Sequence, residues 1–320
     1  KGNHCAVELL KNGYSVRGSV RNLSKTEQVI NSIKNEVDPK DNLEFCELNL
    51  LSDDGWDEAV KGCDFVMHVA SPFINIEPKD ENEYIRPAVD GTMRALKAAK
   101  SAGIKRVVLT SSMVSMLGDA DKSIKVDSQS WTNVKGKNVS AYAKSKTLAE
   151  QAAWDFINTQ SDASKMELVV VNPGPVFGPS LSGDLSGASM SMFTQMIQGK
   201  MPMLPQASIK MSDVRDIAKI HVLALENANA NGKRFIVTTE EPYAFQEVAK
   251  ILKSNGYDKV STKLAPNFLL KIMSYLDREA KSMRSFVGKT YNGNVSLTMK
   301  TFDWKPVPIE KTVLDTAKSI

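Results

Sequence analysis

The sequence predicts an α/β fold, a doubly wound parallel sheet followed by a smaller, mostly helical C-terminal region. Three observations carry that expectation. Strand-like and helix-like stretches alternate from the first residues to about residue 238. The strand-like runs, 106–110 and 168–171 above all, are apolar on consecutive residues, as strands covered on both faces must be. Gly13 and Gly103 stand where amphipathic helices should stop.

Taken in order, the chain opens on a helix with Ala6, Leu9 and Leu10 on one face and Gly13 as its stop, followed by a strand over 14–20. A βαβ unit needs a strand ahead of its first helix. The expectation is therefore that the first strand is missing from the numbered chain, about ten residues upstream. Gly2 would then be the last glycine of a Gly-x-x-Gly-x-x-Gly turn; a glycine in a flexible tail is the other reading. A helix over 24–37 leads to a strand over 43–48, and a short helix over 56–61 to a strand over 64–69. A long helix over 84–102 leads to the strand over 106–110. Residues 113–139 read mostly as loop. A helix from Ser140 then precedes the strand over 168–171 and the turn Asn172-Pro173-Gly174-Pro175. Right-handed crossovers would bring the C-terminal ends of all these strands to one edge, where ligands bind.

Past Pro173 the character changes. Residues 174–208 carry little strand signal but hold Met190, Met192, Met196, Met201 and Met203, which suit either an apolar pocket or ordinary core. A helix over 212–226 and a strand over 234–237 return to the sheet. Beyond 239 the chain reads as helical, with an amphipathic stretch at 268–276 and a last helix over 309–320. The expected division is a dinucleotide-binding domain of residues 1–172 plus 209–238, and a substrate-binding region of 173–208 plus 239–320.

Composition excludes several classes. With 42% hydrophobic and 24% charged residues in 320, the chain can bury a sizeable core and is not disordered. The net charge of +4 is scattered, so no nucleic-acid partner is expected. No segment reads as a signal peptide or a membrane span, which leads to the expectation of a cytoplasmic protein without a membrane partner. Cys5, Cys46 and Cys63 lack metal or redox spacing and read as buried free thiols. His4, His68 and His221 are dispersed, and no metal site is expected.

Two places carry chemistry. Tyr142 and Lys146, four residues apart on the helix after Ser140, share one face that continues into the small residues Ala149 and Ala153. A phenol beside an ammonium is a proton donor whose pKa the cation should lower. An exposed helix that merely carries a Tyr and a Lys remains open on spacing alone. Ser112, just past the strand over 106–110, reaches the same edge of the sheet. The second place is the end of the strand over 14–20. No acid lies between Gly13 and Glu27 to bond the ribose hydroxyls of NAD. Arg21 and Lys25 stand there instead, which favours the 2′-phosphate of NADP; a solvated basic turn is the alternative.

The wider pattern is specific. Leu109-Thr110-Ser111-Ser112, then Tyr142-Ala-Lys-Ser-Lys146-Thr-Leu-Ala-Glu-Gln-Ala-Ala-Trp154, then Val171-Asn-Pro-Gly-Pro-Val-Phe-Gly-Pro179 resembles the extended short-chain dehydrogenase/reductase superfamily. Within it the chain is most similar to the dihydroflavonol-reductase-like branch of aldehyde, ketone and cinnamoyl-CoA reductases. His68-Val-Ala-Ser-Pro72, Arg86-Pro-Ala-Val-Asp-Gly-Thr92 and Ser212-Asp-Val-Arg-Asp-Ile-Ala218 fit as well, so the resemblance covers essentially the whole chain.

That resemblance implies a Rossmann-type fold and a catalytic set of Ser112, Tyr142 and Lys146. Tyr142 would protonate the carbonyl oxygen as hydride arrives, Lys146 would hold the nicotinamide ribose, and Ser112 rather than Ser111 would bond the carbonyl oxygen. It implies cofactor contacts from Gly2, from Arg21 and Lys25 at the 2′-phosphate, and from Asn49 and Leu50 near the adenine. Ala70 and Ser71 would face the ribose and pyrophosphate, and Pro173 and Val176 the nicotinamide. Asn49 departs from the aspartate that the family usually carries. The expected function is NADPH-dependent reduction of an aldehyde, ketone or dihydroflavonol-like carbonyl, by a monomer or homodimer acting on a small molecule. An epimerase, dehydratase or hydroxysteroid dehydrogenase on the same scaffold is the neighbouring reading. A non-catalytic cofactor sensor is a third, disfavoured by the retained Tyr142 and Lys146.

Overall fold

The structure is a computed structural model that describes residues 1–71, 78, 80–118, 124–136, 139–161, 165–266 and 291–320. Helix α1 (Gly2–Lys11) ends just before Gly13, whose φ of +82° favours glycine at this stop. It leads to β1 (Val16–Val20), a 3₁₀ turn (Leu23–Lys25), α2 (Thr26–Lys34) and β2 (Leu43–Glu47). Next come α3 (Trp56–Val60), β3 (Phe65–His68), α4 (Asn82–Ser101) and β4 (Arg106–Thr110), all within a few residues of the expected places. A 3₁₀ turn (Met113–Met116) and a short strand β5 (Ile124–Val126) occupy part of the expected loop. Then follow α5 (Ala141–Asn158) and β6 (Glu167–Pro173).

The region after Pro173 holds more regular structure than its sequence suggests. It contains β7 (Val176–Phe177), α6 (Ala188–Ile197), β8 (Ser208–Ile209) and β9 (Ser212–Asp213). After α7 (Val214–Glu226) and β10 (Arg234–Val237), the expected all-helical remainder includes two short strands. These are β11 (Tyr243–Ala244), ahead of α8 (Phe245–Ser254), and β12 (Tyr291–Gly293), ahead of α9 (Ser296–Phe302) and α10 (Ile309–Lys318). β11 pairs antiparallel with β8, and β12 pairs with β5. Each is only two or three residues long, too short for a periodic signal to mark it in the sequence. The amphipathic stretch expected at 268–276 lies outside the described residues.

Four parallel strands form the order β10-β6-β4-β3, while β1 and β2 form a separate parallel pair. Among the described residues no strand of that pair is hydrogen-bonded to the four-stranded sheet. Alternation along the buried strands builds the two faces. Val108, Val169 and Val171 point to a core with Ile217, Ile220 and Ala224 of α7, while Val107, Leu109, Leu168 and Val170 point to one with α3, α4 and α5. This is a Rossmann-like three-layer arrangement, and it needs strands that are apolar at every position.

A third core joins Phe177, Phe193, Met196 and Met211 to Phe245, Val248, Leu252 and Val313. Met196 is fully buried there, with Met192 and Met201 packed against it, so these three methionines serve as core. Met203 is 37% exposed.

Candidate active site

Ser112, Tyr142 and Lys146 converge at the C-terminal edge of β4 and β6. Ser112 follows β4 and starts the 3₁₀ turn, its hydroxyl accepting from the amide of Val114 at 3.4 Å and donating to the carbonyl of Pro173 at 3.4 Å. Ser140 caps α5 by accepting from the amide of Ala143 at 3.2 Å, which places Tyr142 in the first turn. The hydroxyls of Ser112 and Tyr142 are hydrogen-bonded to each other. Lys146 lies one turn on and is buried, as are Ala149 and Ala153 on the continuing stripe.

The electrostatics correct one expectation. Tyr142 is partly accessible, yet enough protein surrounds it that desolvation raises its pKa; the Ser112 hydrogen bond opposes this, and the neighbouring Tyr84 adds to it. The lowering expected from Lys146 does not appear among these influences on Tyr142. Burial pulls the Lys146 ammonium itself down to about 7, with the charge of Lys1 acting in the same direction and Glu150 against it. An ammonium that is itself easily neutralised is a weak electrostatic partner for a phenolate.

Tyr84 of α4 was not singled out in the sequence. Its ring meets that of Tyr142 edge-on, with centroids 6.4 Å apart at 69°. The exposed side of the same α5 turn is tied to the start of α4 by Lys144 and Glu81 at 2.6 Å. His68, at the end of β3, is buried and held near pKa 4 by desolvation and the nearby Lys146, so it is neutral. His221 is also neutral. Its Nδ1 donates to the carbonyl of Ile217 at 2.7 Å, leaving Nε2 to accept from the Thr110 hydroxyl at 2.6 Å.

The remaining sequence-selected residues are distributed along the same edge. Gly2 begins α1. Arg21 and Lys25 are exposed in the turn after β1, and among the described residues neither side chain has an ion-pair partner. The turn is shaped by Asn22, whose side chain accepts from the amide of Ser24 at 2.8 Å. The same turn carries an acid that local reading missed: Glu47, at the end of β2, accepts from the amide of Leu23 at 3.3 Å. Asn49 spends its side-chain oxygen on the amide of Leu51 at 3.0 Å, and Leu50 packs against Gly91 of α4. Ala70 and Ser71 follow β3, Ala70 exposed and Ser71 partly so. Pro173 is buried at the end of β6, and Val176 is partly exposed in β7.

Gly174 holds the Pro173 turn close to its neighbours. A Cβ there would lie 2.6 Å from the Lys210 carbonyl oxygen and 3.0 Å from a methyl of Thr238. Gly174→Ala is therefore expected to lower stability by about 1–3 kcal/mol, read as a fall in the urea midpoint without a change in slope.

A dinucleotide cofactor fits these residues on one observation above others. Among the described residues the buried Lys146 ammonium has no hydrogen-bond or ion-pair partner, so its donors are available to acceptors brought by a ligand.

The sequence pattern of the NAD dependent epimerase/dehydratase family matches residues 1–238. The chain belongs to that family, the extended short-chain dehydrogenase/reductases, and its similarity to named reductases makes it a nicotinamide-cofactor oxidoreductase. It is 35% identical to cinnamoyl-CoA reductase CAD2 of Medicago truncatula over 77% of this chain and 74% of that protein. It is 31% identical to the NADPH-dependent methylglyoxal reductase GRE2 of Saccharomyces cerevisiae over 79% of this chain and 78% of that protein. The crystal structure of Gre2 with NADPH from Candida albicans superposes with a TM-score of 0.78 at 25% identity, over 99% of this chain and 94% of that one.

Proposed function

We propose that the protein is an NADPH-dependent reductase of an aldehyde, ketone or dihydroflavonol-like carbonyl, with Tyr142 as proton donor. The observation that carries this reading is the hydrogen-bonded Ser112–Tyr142 pair beside the buried Lys146, which has no partner among the described residues. The NADPH dependence named for the yeast relative and the cofactor in the superposed structure support the choice of cofactor.

The cofactor, when bound, supplies the hydride; everything else falls to the chain's own residues. Tyr142 donates its phenolic proton to the carbonyl oxygen, and burial keeps that proton in place at neutral pH until it is needed. Ser112 bonds the same oxygen and orients it toward Tyr142. Lys146 turns its donors to the nicotinamide ribose hydroxyls, and Pro173 and Val176 bound the nicotinamide. Ala70, Ser71 and Gly2 lie toward the ribose and pyrophosphate, Asn49 and Leu50 toward the adenine. Arg21 and Lys25 take the 2′-phosphate. Residues 1–172 with 209–238 form the cofactor domain. Residues 173–208 with 239–320 form the substrate region, whose separate core of Phe177, Phe193 and Phe245 supports that division.

A panel of aldehydes, ketones, dihydroflavonols and aromatic thioesters, followed by loss of NADPH absorbance, tests the proposal. Turnover of at least one carbonyl class is expected, faster with NADPH than with NADH. No turnover across the panel by protein that binds NADPH would overturn it.

A further inference from the structure

Behind the candidate catalytic residues lies a buried polar cluster that none of the roles above uses. Its centre is Glu150, one helical turn past Lys146 on α5 and almost wholly buried. One carboxylate oxygen accepts from the Ser111 hydroxyl at 2.5 Å, the Ser115 hydroxyl at 2.7 Å and the Asn172 amide at 2.9 Å. The other accepts from Arg234 Nε at 2.5 Å and from the Trp154 indole at 3.4 Å.

Arg234, buried on β10, neutralises this charge. It also donates to the Ser130 carbonyl at 2.6 Å and to the Ser115 hydroxyl at 3.1 Å, and it stacks 3.7 Å over the Trp131 ring. A single carboxylate therefore joins α5, the turn after β4, β6 and β10.

The cluster closes directly on Ser112. The Ser115 hydroxyl, whose single proton serves either Glu150 or the Ser112 carbonyl 2.8 Å away, and the Asn172 amide, which donates to that carbonyl at 3.4 Å and to Glu150, link the two. Ser112 is thus held from its neighbour Ser111, from its own carbonyl and from β6, all referred to the helix that carries Tyr142 and Lys146. Five donors converge on two oxygens, an arrangement that an ionised carboxylate satisfies and an amide does not. A glutamine would aim its NH₂ either at Arg234 or at the three donors on the other side.

We propose that Glu150, with Arg234 as its counter-ion, is a positioning residue for hydride transfer: it sets the Ser112 turn against Tyr142 from one helical turn beyond Lys146 on the same face of α5. The inference rests on the roles proposed above for Ser112, Tyr142 and Lys146. Among the described residues, the charged and titratable groups facing Lys146 are Lys1 beside α1, His68 of β3, Tyr142 one turn before it and Glu150 one turn after it, and of these Glu150 favours the ammonium. Tyr142 faces Tyr84 of α4 and Lys146 one turn on, with the Ser112 hydroxyl as its hydrogen-bond partner.

Two variants test it in the full-length chain, Glu150→Gln and Ser111→Ala. Ser111→Ala removes one donor, leaves the Glu150–Arg234 pair intact and guards against the first variant failing to fold. For Glu150→Gln the expected result is a fall in kcat of about 10- to 100-fold, with NADPH affinity within about threefold of wild type. The alkaline limb of kcat/KM should move to lower pH, because Lys146 loses its anion. For Ser111→Ala a smaller fall in kcat, about 3- to 10-fold, is expected with the limb unmoved.

Wild-type turnover and its loss in Tyr142→Phe are measured alongside. If Tyr142→Phe keeps full turnover, the reading of the site falls and this inference with it. If Tyr142→Phe is dead while folded Glu150→Gln shows wild-type kcat and an unmoved limb, only this inference falls. Should Glu150→Gln not fold, wild-type kcat in Ser111→Ala overturns it.

Discussion

Tyr142→Phe is expected to lower kcat by roughly 10²- to 10⁴-fold, the usual contribution of a positioned general acid, while NADPH binds with little change. The substitution removes one hydroxyl and keeps the ring, so the edge-on packing against Tyr84 survives and the first turn of α5 stays capped by Ser140. What is lost is the proton and the hydrogen bond to Ser112. Fluorescence titration with NADPH and single-turnover absorbance separate the two effects. Retention of more than about a tenth of wild-type kcat would mean that a solvent or Ser112 proton suffices and that Tyr142 is not the acid. The raised Tyr142 pKa bears on the same test. A donor held above its ordinary value keeps its proton well past neutral pH, so deprotonation of Tyr142 should limit carbonyl reduction only at strongly alkaline pH, beyond the limb set by Lys146.

The second large effect concerns the cofactor. Replacing both Arg21 and Lys25 with alanine is expected to weaken NADPH binding by about 10- to 100-fold and NADH binding by less than about twofold. Both side chains are exposed and lack ion-pair partners among the described residues. Removing them therefore leaves no buried charge stranded, and folding should be unaffected. Because the contacts are exposed, the wild-type preference for NADPH should itself shrink as salt rises, which the double variant should not show. Equal losses for the two cofactors would refute the 2′-phosphate assignment. Glu47 enters here as a competing feature. It lies at the same turn, bonded to the amide of Leu23, and a carboxylate there would repel a phosphate if nothing screened it. Arg21 and Lys25 supply that positive charge, so Glu47→Gln in the double-alanine background should recover part of the lost NADPH affinity.

Much of this molecule is legible in local pattern. Continuous apolar runs mark β4, β6 and β10, and period-3.6 alternation marks α4 and α5, to within a few residues, because burial on both sheet faces demands apolar side chains at nearly every strand position. The Tyr142–Lys146 spacing is equally local: helical geometry alone puts the two on one side of α5. Arg21, next to the end of β1, follows from the strand assignment.

The short strands β7, β8, β11 and β12 escape such reading, since two or three residues cannot show a period. α6 escapes for a different reason. Its Met, Ser and Thr residues carry no strong helical contrast, and burial of Phe193 and Met196 in the third core does the specifying.

What the sequence by itself determined is the layered α/β class, the order of its main elements, and the placement of one phenol, one ammonium and one serine at a common sheet edge. These follow from periods and turns that act over a few residues. Only the tertiary structure decided the electrostatic state of that edge. Whether Tyr142 is a stronger or weaker acid than a free tyrosine depends on how much water the fold removes, and there desolvation prevails over the hydrogen bond from Ser112. The pairing of Glu150 with Arg234, 84 residues away, is likewise invisible to any local window. Both residues are charged yet almost wholly buried by the folded core. Once buried, each must be paired, and that requirement ties the serine turn to the helix of Tyr142.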